Sequence, residues 1–348
     1  MIPRNHRNGP IHPEAPKKNG RHSRPIFLLL SLLLLSFGSL LASCGGGPTV
    51  ATPTGRTLYL ATTSGIYGFS IMSDGTLSAV SSSLLATGSY NQIAATTGTS
   101  PMLIGANGGT SLTTWSLSGG GLGTQGSISL SGCSSFSATG VTVASDNSYI
   151  FVVSGSATTS SNIGSIRLGG SGCTPLTASS IPPYPIQPAL DCSQGGTNSC
   201  VLFLTMSSQY PPLATTYISP TEYTYTKGGS SITSSTAPSC TTSNCPVGVA
   251  FNPNTLDFYA TFNGTTPSLQ SFAPATSSSI QTTTFSTGNL NLPCIDALGG
   301  VAYIPTSNGY VYSVSTANGG GLGSPSTVLS PQTFGTTLNI SSCAVAGS

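Results

Sequence analysis

A hairpin unit that returns about every fifty residues constrains this chain more than any other feature. It reads Tyr67-Gly-Phe-Ser-Ile-Met-Ser-Asp-Gly-Thr-Leu77, then Thr114-Trp-Ser-Leu-Ser-Gly-Gly-Gly-Leu-Gly123, and again Val311-Tyr-Ser-Val-Ser-Thr-Ala-Asn-Gly-Gly-Gly-Leu-Gly323. The shared form is an aromatic residue, serine, an aliphatic residue, a turn ending in glycine, then leucine heading a Ser/Thr-rich run. Alternation, a glycine turn and renewed alternation specify two antiparallel strands.

An apolar run stands before each hairpin position: Leu58-Tyr-Leu-Ala, Met102-Leu-Ile-Gly, Tyr149-Ile-Phe-Val-Val, Val201-Leu-Phe-Leu, Phe258-Tyr-Ala-Thr-Phe and Val301-Ala-Tyr-Ile. A shorter run precedes the later ones, as in Ile93-Ala-Ala, Val141-Thr-Val-Ala, Pro188-Ala-Leu, Val247-Gly-Val-Ala-Phe and Cys294-Ile-Asp-Ala-Leu. Four short strands per unit at this period predict an all-β chain, a β-propeller with four-stranded antiparallel blades. Six blades are counted, and the long unit from 200 to about 250 leaves seven as the alternative. The first unit begins at its second strand, near Leu58, while the chain finishes in Ser342-Cys-Ala-Val-Ala346, a lone first strand. That C-terminal strand is expected to close the first blade and remove an exposed edge. A two-domain β-sandwich is the rival reading; it gives short strands but no Leu-marked hairpin in register.

The start of the chain follows other rules. Residues 1–25 hold Arg4, Arg7, Lys17, Lys18, Arg21, Arg24 and all three histidines, His6, His12 and His22. An uncharged stretch from Ile26 to Leu41 follows, too short for the ~20 apolar residues of a spanning helix. It ends in Leu41-Ala42-Ser43-Cys44, before Gly45-Gly46-Gly47-Pro48. Basic head, apolar stretch and small residues make an export signal. The tetrapeptide resembles the bacterial lipobox, which implies that Cys44 carries a lipid such as palmitate and becomes the new N-terminus. An ordinary signal anchor is the alternative. The expected organisation is therefore a lipoprotein signal peptide over 1–43, a Gly/Pro/Thr-rich tether over 44–56 and the propeller over 57–348. Gly45 stands where aspartate commonly retains lipoproteins at the inner membrane, so the expected location is the cell envelope, at the outer membrane.

Removing the signal leaves Arg56, Arg167 and Lys227 against Asp74, Asp146, Asp191, Glu222, Asp257 and Asp296. Three cations against six anions form no basic patch, which excludes nucleic acid as a partner, since phosphate binding runs on Lys and Arg. No histidine remains in the mature part, which excludes Ser-His-Asp and Cys-His catalysis and histidine-ligated metals.

The repeat resembles the lactonase-type, YVTN-like propeller family, most closely at Tyr67–Leu77 and Tyr312–Leu322. The resemblance covers most of residues 57–348 and implies the fold; it also raises a phosphogluconolactonase-like hydrolase. Such a substrate needs basic residues at the binding face, and Arg56, Arg167 and Lys227 fall in separate units, Arg56 in the tether and Lys227 in a loop. Asp191 and Asp296 lie in or beside first strands, which line a propeller's channel, and could hold a cation or do acid–base work there. The competing reading gives each a backbone hydrogen bond in a neighbouring blade. Glu222 is the third candidate carboxylate. Asp74, Asp146 and Asp257 read as turn residues.

Gly121-Leu-Gly-Thr-Gln-Gly126 matches a dinucleotide pattern on paper, but Ser127-Ile-Ser-Leu130 continues as a strand, where that motif needs a helix N-terminus. No cofactor or metal site is expected. Beyond Cys44 stand eight cysteines, an even number that suggests disulfides in an exported chain. Spacing suggests Cys192 with Cys200 and Cys240 with Cys245. Cys294 and Cys343 hold matching positions in successive units, and Cys133 and Cys173 remain. Function reads as a lipid-anchored, non-enzymatic binding or scaffold module, with contacts from loop residues such as Tyr184, Tyr210, Tyr217 and Tyr223 to a glycan or protein ligand. A lactonase-like or glycan-acting hydrolase or lyase using Asp191, Asp296 or Glu222 is the alternative.

Overall fold

The computed structural model describes residues 51–133, 135–154, 163–177, 184–192, 198–207, 217–235, 240, 245–273, 278–286 and 289–347. Residues 1–50, with Cys44 and the expected signal and most of the expected tether, and Tyr210 lie outside them. Six antiparallel sheets form six blades of a β-propeller. Blade 1 combines Ile340–Ala346 with Pro53–Thr62, Gly65–Met72 and Leu77–Ala79, so the C-terminal strand does close the first blade. The inner strands of blades 2 to 6 are Gln92–Ala95, Ala138–Val143, Tyr184–Asp191, Pro246–Asn252 and Cys294–Asp296. Inner strands thus begin at 92, 138, 184, 246, 294 and 340; the one long step, through blade 4, holds no seventh sheet among the described residues.

The apolar runs are the second strands, and each is buried on both faces. In Tyr149–Ser154, Ile150 and Val152 face blade 2, whereas Phe151 and Val153 face blade 4. A strand sandwiched this way has no solvated side, which explains continuous apolarity where alternation would otherwise be expected. The aromatic-Ser-aliphatic segments are third strands, with Phe69, Trp115 and Tyr312 packed into interblade clusters. The Gly-Leu turns lead into the fourth. The core is accordingly divided into six clusters, each lying between successive blades.

Four disulfides join Cys133–Cys173, Cys192–Cys200, Cys240–Cys245 and Cys294–Cys343: two pairs favoured by spacing, one by unit position, and Cys133–Cys173 as the pair left over. The last links the inner strand of blade 6 to the C-terminal strand of blade 1, with Cα atoms 5.5 Å apart. A short 3₁₀ turn, Pro331–Phe334, leads into that strand and sets Phe334 edge-on against Tyr67 at 5.2 Å and Phe69 at 6.0 Å. Blade 1 begins at Pro53, earlier than the boundary at 57, because Thr57 to Thr62 extends backwards past a bulge to pair Pro53 with Met72. Arg56 is consequently a strand residue and not part of the tether.

Candidate functional site

All six inner strands line one central cavity of ≈ 200 Å³. Small-molecule sites usually offer ~300–1,000 Å³, so this channel is narrow for a ligand. Among the described residues its wall contains no ionisable side chain; Ala94, Val143, Phe251, Ile295 and Val345 are among those that line it. Polar side chains at the wall are turned sideways into the joints between blades. Gln92 Oε1 accepts the Val141 N–H at 2.9 Å, and Gln187 Oε1 accepts the Val249 N–H at 2.7 Å. Ser342 Oγ accepts the Ile93 N–H at 3.1 Å. Between blades 3 and 4 the corresponding residues are Gly140, with no side chain, and Pro188, with no N–H to satisfy.

One mouth of the channel is built from the turns between first and second strands, and these turns bind one another. Thr97 N–H donates to Asn147 Oδ1 at 3.0 Å while Asn147 Nδ2 donates to Thr97 Oγ1 at 2.7 Å. Cys192 N–H donates to Ser145 Oγ at 3.2 Å, and Asn254 Nδ2 to the Ala297 carbonyl at 2.6 Å. Asn147 sits at φ 55°, a left-handed position that asparagine tolerates.

The candidate carboxylates do not meet in the channel. Asp191 and Asp296 do end inner strands, in blades 4 and 6, but both are buried and neither lines the cavity. Asp296 accepts the Gly299 N–H at 3.0 Å and forms an ion pair with Arg56 of blade 1. Glu222 lies in the third strand of blade 4, Tyr217–Thr226, and is buried as well. Burial and the Asp296 charge push the Tyr303 hydroxyl up to about 12, with Arg56 partly offsetting. Lys227, expected in a solvated loop, pairs with Asp146 of blade 3. For Asp146 burial works upward but is outweighed by Lys227 and Ser148, so its carboxyl titrates below the usual range. Arg167 ends the third strand of blade 3, exposed.

Asp257, expected in a turn, stands 4 % exposed at the start of a second strand. Its Oδ2 has no hydrogen-bond partner. Burial pushes its carboxyl up, opposed by Thr255 and the Gly320 N–H. Tyr223, expected in a loop, is fully buried between blades 3 and 4; the alternation Tyr223-Thr-Tyr225-Thr carries a strand signal that places both rings on one face. Tyr184 and Tyr217 also begin strands and not loops. The segment Gly121–Ser129 is the fourth strand of blade 2, as a hairpin reading requires. Among the described residues no group of His, Cys, Asp and Glu is arranged to hold a metal ion.

No family model matches the chain, and no curated protein matches it by sequence. Solved structures do. A chain in a nidogen/laminin complex superposes with a TM-score of 0.53 at 14% identity, covering 84% of this chain and 98% of that one. TolB from Acinetobacter baumannii gives 0.51 at 13% identity over 94% of this chain and 74% of its own. A 6-phosphogluconolactonase-like protein from Bacteroides uniformis gives 0.48 at 14% identity, over 83% and 84%. At these identities the likeness establishes the fold.

Proposed function

We propose that this chain is a lipid-anchored propeller of the cell envelope, a binding or scaffold module without catalytic activity of its own. The observation that carries the non-catalytic half is the channel wall: among the described residues it presents no ionisable group, and the candidate carboxylates Asp191, Asp296 and Glu222 are buried outside it. General acid–base or nucleophilic chemistry needs a titratable group within hydrogen-bond reach of the substrate. Two of the three mature cations, Arg56 and Lys227, are engaged in ion pairs between blades, which leaves little to hold a sugar phosphate. The anchored half rests on the order of basic head, apolar stretch and Leu41-Ala42-Ser43-Cys44. A propeller with this fold occurs in the nidogen/laminin complex, an assembly of proteins; a protein or glycan ligand for the present chain is the counterpart proposed here.

Two measurements test the proposal. Labelled palmitate fed to a bacterium expressing the full chain should enter the protein, and Cys44→Ala should abolish the label. Purified protein should turn over nothing in a panel of sugar lactones and glycans. Turnover that vanishes on Asp191→Ala, Asp296→Ala or Glu222→Ala, with the fold intact, would establish the hydrolase reading instead.

A further inference from the structure

Among the described residues the exposed large hydrophobics are Leu256 at 38 %, Ile280 at 46 % and Leu298 at 68 %. Scattered over a surface they would need no explanation; here they share one face. Leu256 and Leu298 stand in the first-to-second-strand turns of blades 5 and 6, at the channel mouth, and these turns are joined by the Asn254–Ala297 hydrogen bond. Ile280 precedes the fourth strand of blade 5, and its side chain approaches Gly320, whose N–H binds Asp257 beside Leu256. Leu256 also holds φ 60°, a left-handed backbone that a bulky side chain adopts at a cost. Keeping leucine, and keeping it in water, is doubly unfavourable for the domain alone.

The chain enters the propeller on this same face. Pro53 opens the second strand of blade 1, where every other blade has its first-to-second turn, and Arg56 reaches Asp296 two residues from Leu298. Nine Cα steps separate Cys44 from Pro53, at most about 30 Å when extended. For a Gly-rich segment the mean span is only ~15–18 Å. The far face lies roughly 20 Å further away, the rise of a six-residue strand such as Tyr149–Ser154. The solvent-facing charges on the near face are few and balanced: Arg56 pairs with Asp296 and Lys227 with Asp146, exposed Asp74 is matched by exposed Arg167, and the remaining carboxylates there, Asp191 and Asp257, are buried.

We propose that the face carrying Leu256, Ile280 and Leu298 rests on the lipid bilayer, its three apolar side chains entering the boundary between headgroups and acyl chains. This rests on acylation of Cys44. The opposite face is then turned outward, toward whatever the module binds.

The test uses the lipidated protein, processed from the full chain and beginning at Cys44, in phosphatidylethanolamine/phosphatidylglycerol vesicles containing lipids brominated near the top of the acyl chain. Trp115 is buried at 3 % exposure and supplies the same background to every variant. Leu298→Trp should lose emission by about twofold or more and shift to the blue. Thr337→Trp, exposed on the opposite face before the C-terminal strand, should do neither. Equal quenching of both variants, or an unquenched Leu298→Trp on protein that co-sediments with vesicles, overturns the membrane face. Unquenched Leu298→Trp in a protein that sediments as a dimer assigns the patch to a second copy and also overturns it. Palmitate labelling of the same preparations separates the two ideas. Labelled protein with an unquenched Leu298→Trp refutes the membrane face alone, and unlabelled protein refutes the anchor together with it.

Discussion

Removing the disulfide that clasps blade 6 to blade 1 should cost more than removing any local one, and the structure sets the size of the difference. Cys294 and Cys343 are 49 residues apart in sequence, Cys192 and Cys200 only eight. Loop-closure entropy then assigns about 4 kcal/mol to the clasp and about 2.5 kcal/mol to the hairpin bridge at 25 °C. All four sulfurs are buried, between 0% and 7% exposed, so replacing each pair with alanine loses comparable packing. A domain of about 300 residues unfolds with an entropy near 0.6 kcal/mol/K, which turns these figures into falls of about 6 °C and about 4 °C in Tm. The assay is thermal unfolding by circular dichroism of Cys294→Ala/Cys343→Ala and Cys192→Ala/Cys200→Ala, both oxidised at the remaining bridges. A clasp variant that melts no lower than the hairpin variant would refute the claim that ring closure is held by this cross-link.

Three further outcomes follow from the interblade joints. Gln187→Leu leaves the buried Val249 N–H without an acceptor and should cost about 2 kcal/mol in urea unfolding. Arg56→Met strands the Asp296 carboxylate, 2 % exposed, and should cost about 3 kcal/mol, while Arg56→Met/Asp296→Leu should recover most of it; a double-mutant cycle reads the difference. Asp257 titrates higher folded than unfolded, so the folded state binds the extra proton and stability declines as pH rises from the ordinary carboxyl value through the raised one. Asp257→Asn should flatten that decline when unfolding free energy is measured between pH 4 and pH 7, and an unchanged slope would clear Asp257 of the effect.

Most of the architecture is legible in the sequence, because a propeller repeats its physics. Double burial makes every second strand an apolar run, and the hairpin between third and fourth strands demands glycine at its turn, so Leu58, Met102, Tyr149, Val201, Phe258 and Val301 announce their strands in turn. The candidate site is far less legible. Placing Asp191 and Asp296 at the ends of inner strands is correct, yet the direction of a side chain at a strand end depends on partners that no local pattern reveals. Arg56 and Asp296 meet across 240 residues. Arg56 itself sits in a polar stretch that resembles a tether, since only its pairing with the last strands makes it part of a sheet. Tyr223 is a different case: its strict alternation with Tyr225 marks a strand, against the loop that the neighbouring prolines favour. The run of exposed apolar residues at one mouth has no sequence signature at all, because Leu256, Ile280 and Leu298 belong to three separate turns.

The pairing of the final strand with the first has a consequence for how such a molecule is made. Pro53–Thr62 lies some 280 residues before Ile340–Ala346, so until the later strand arrives the opening sheet keeps one border bare. A chain without Ile340–Ala346 would be an unsealed ring whose vacant border invites a neighbour's strand.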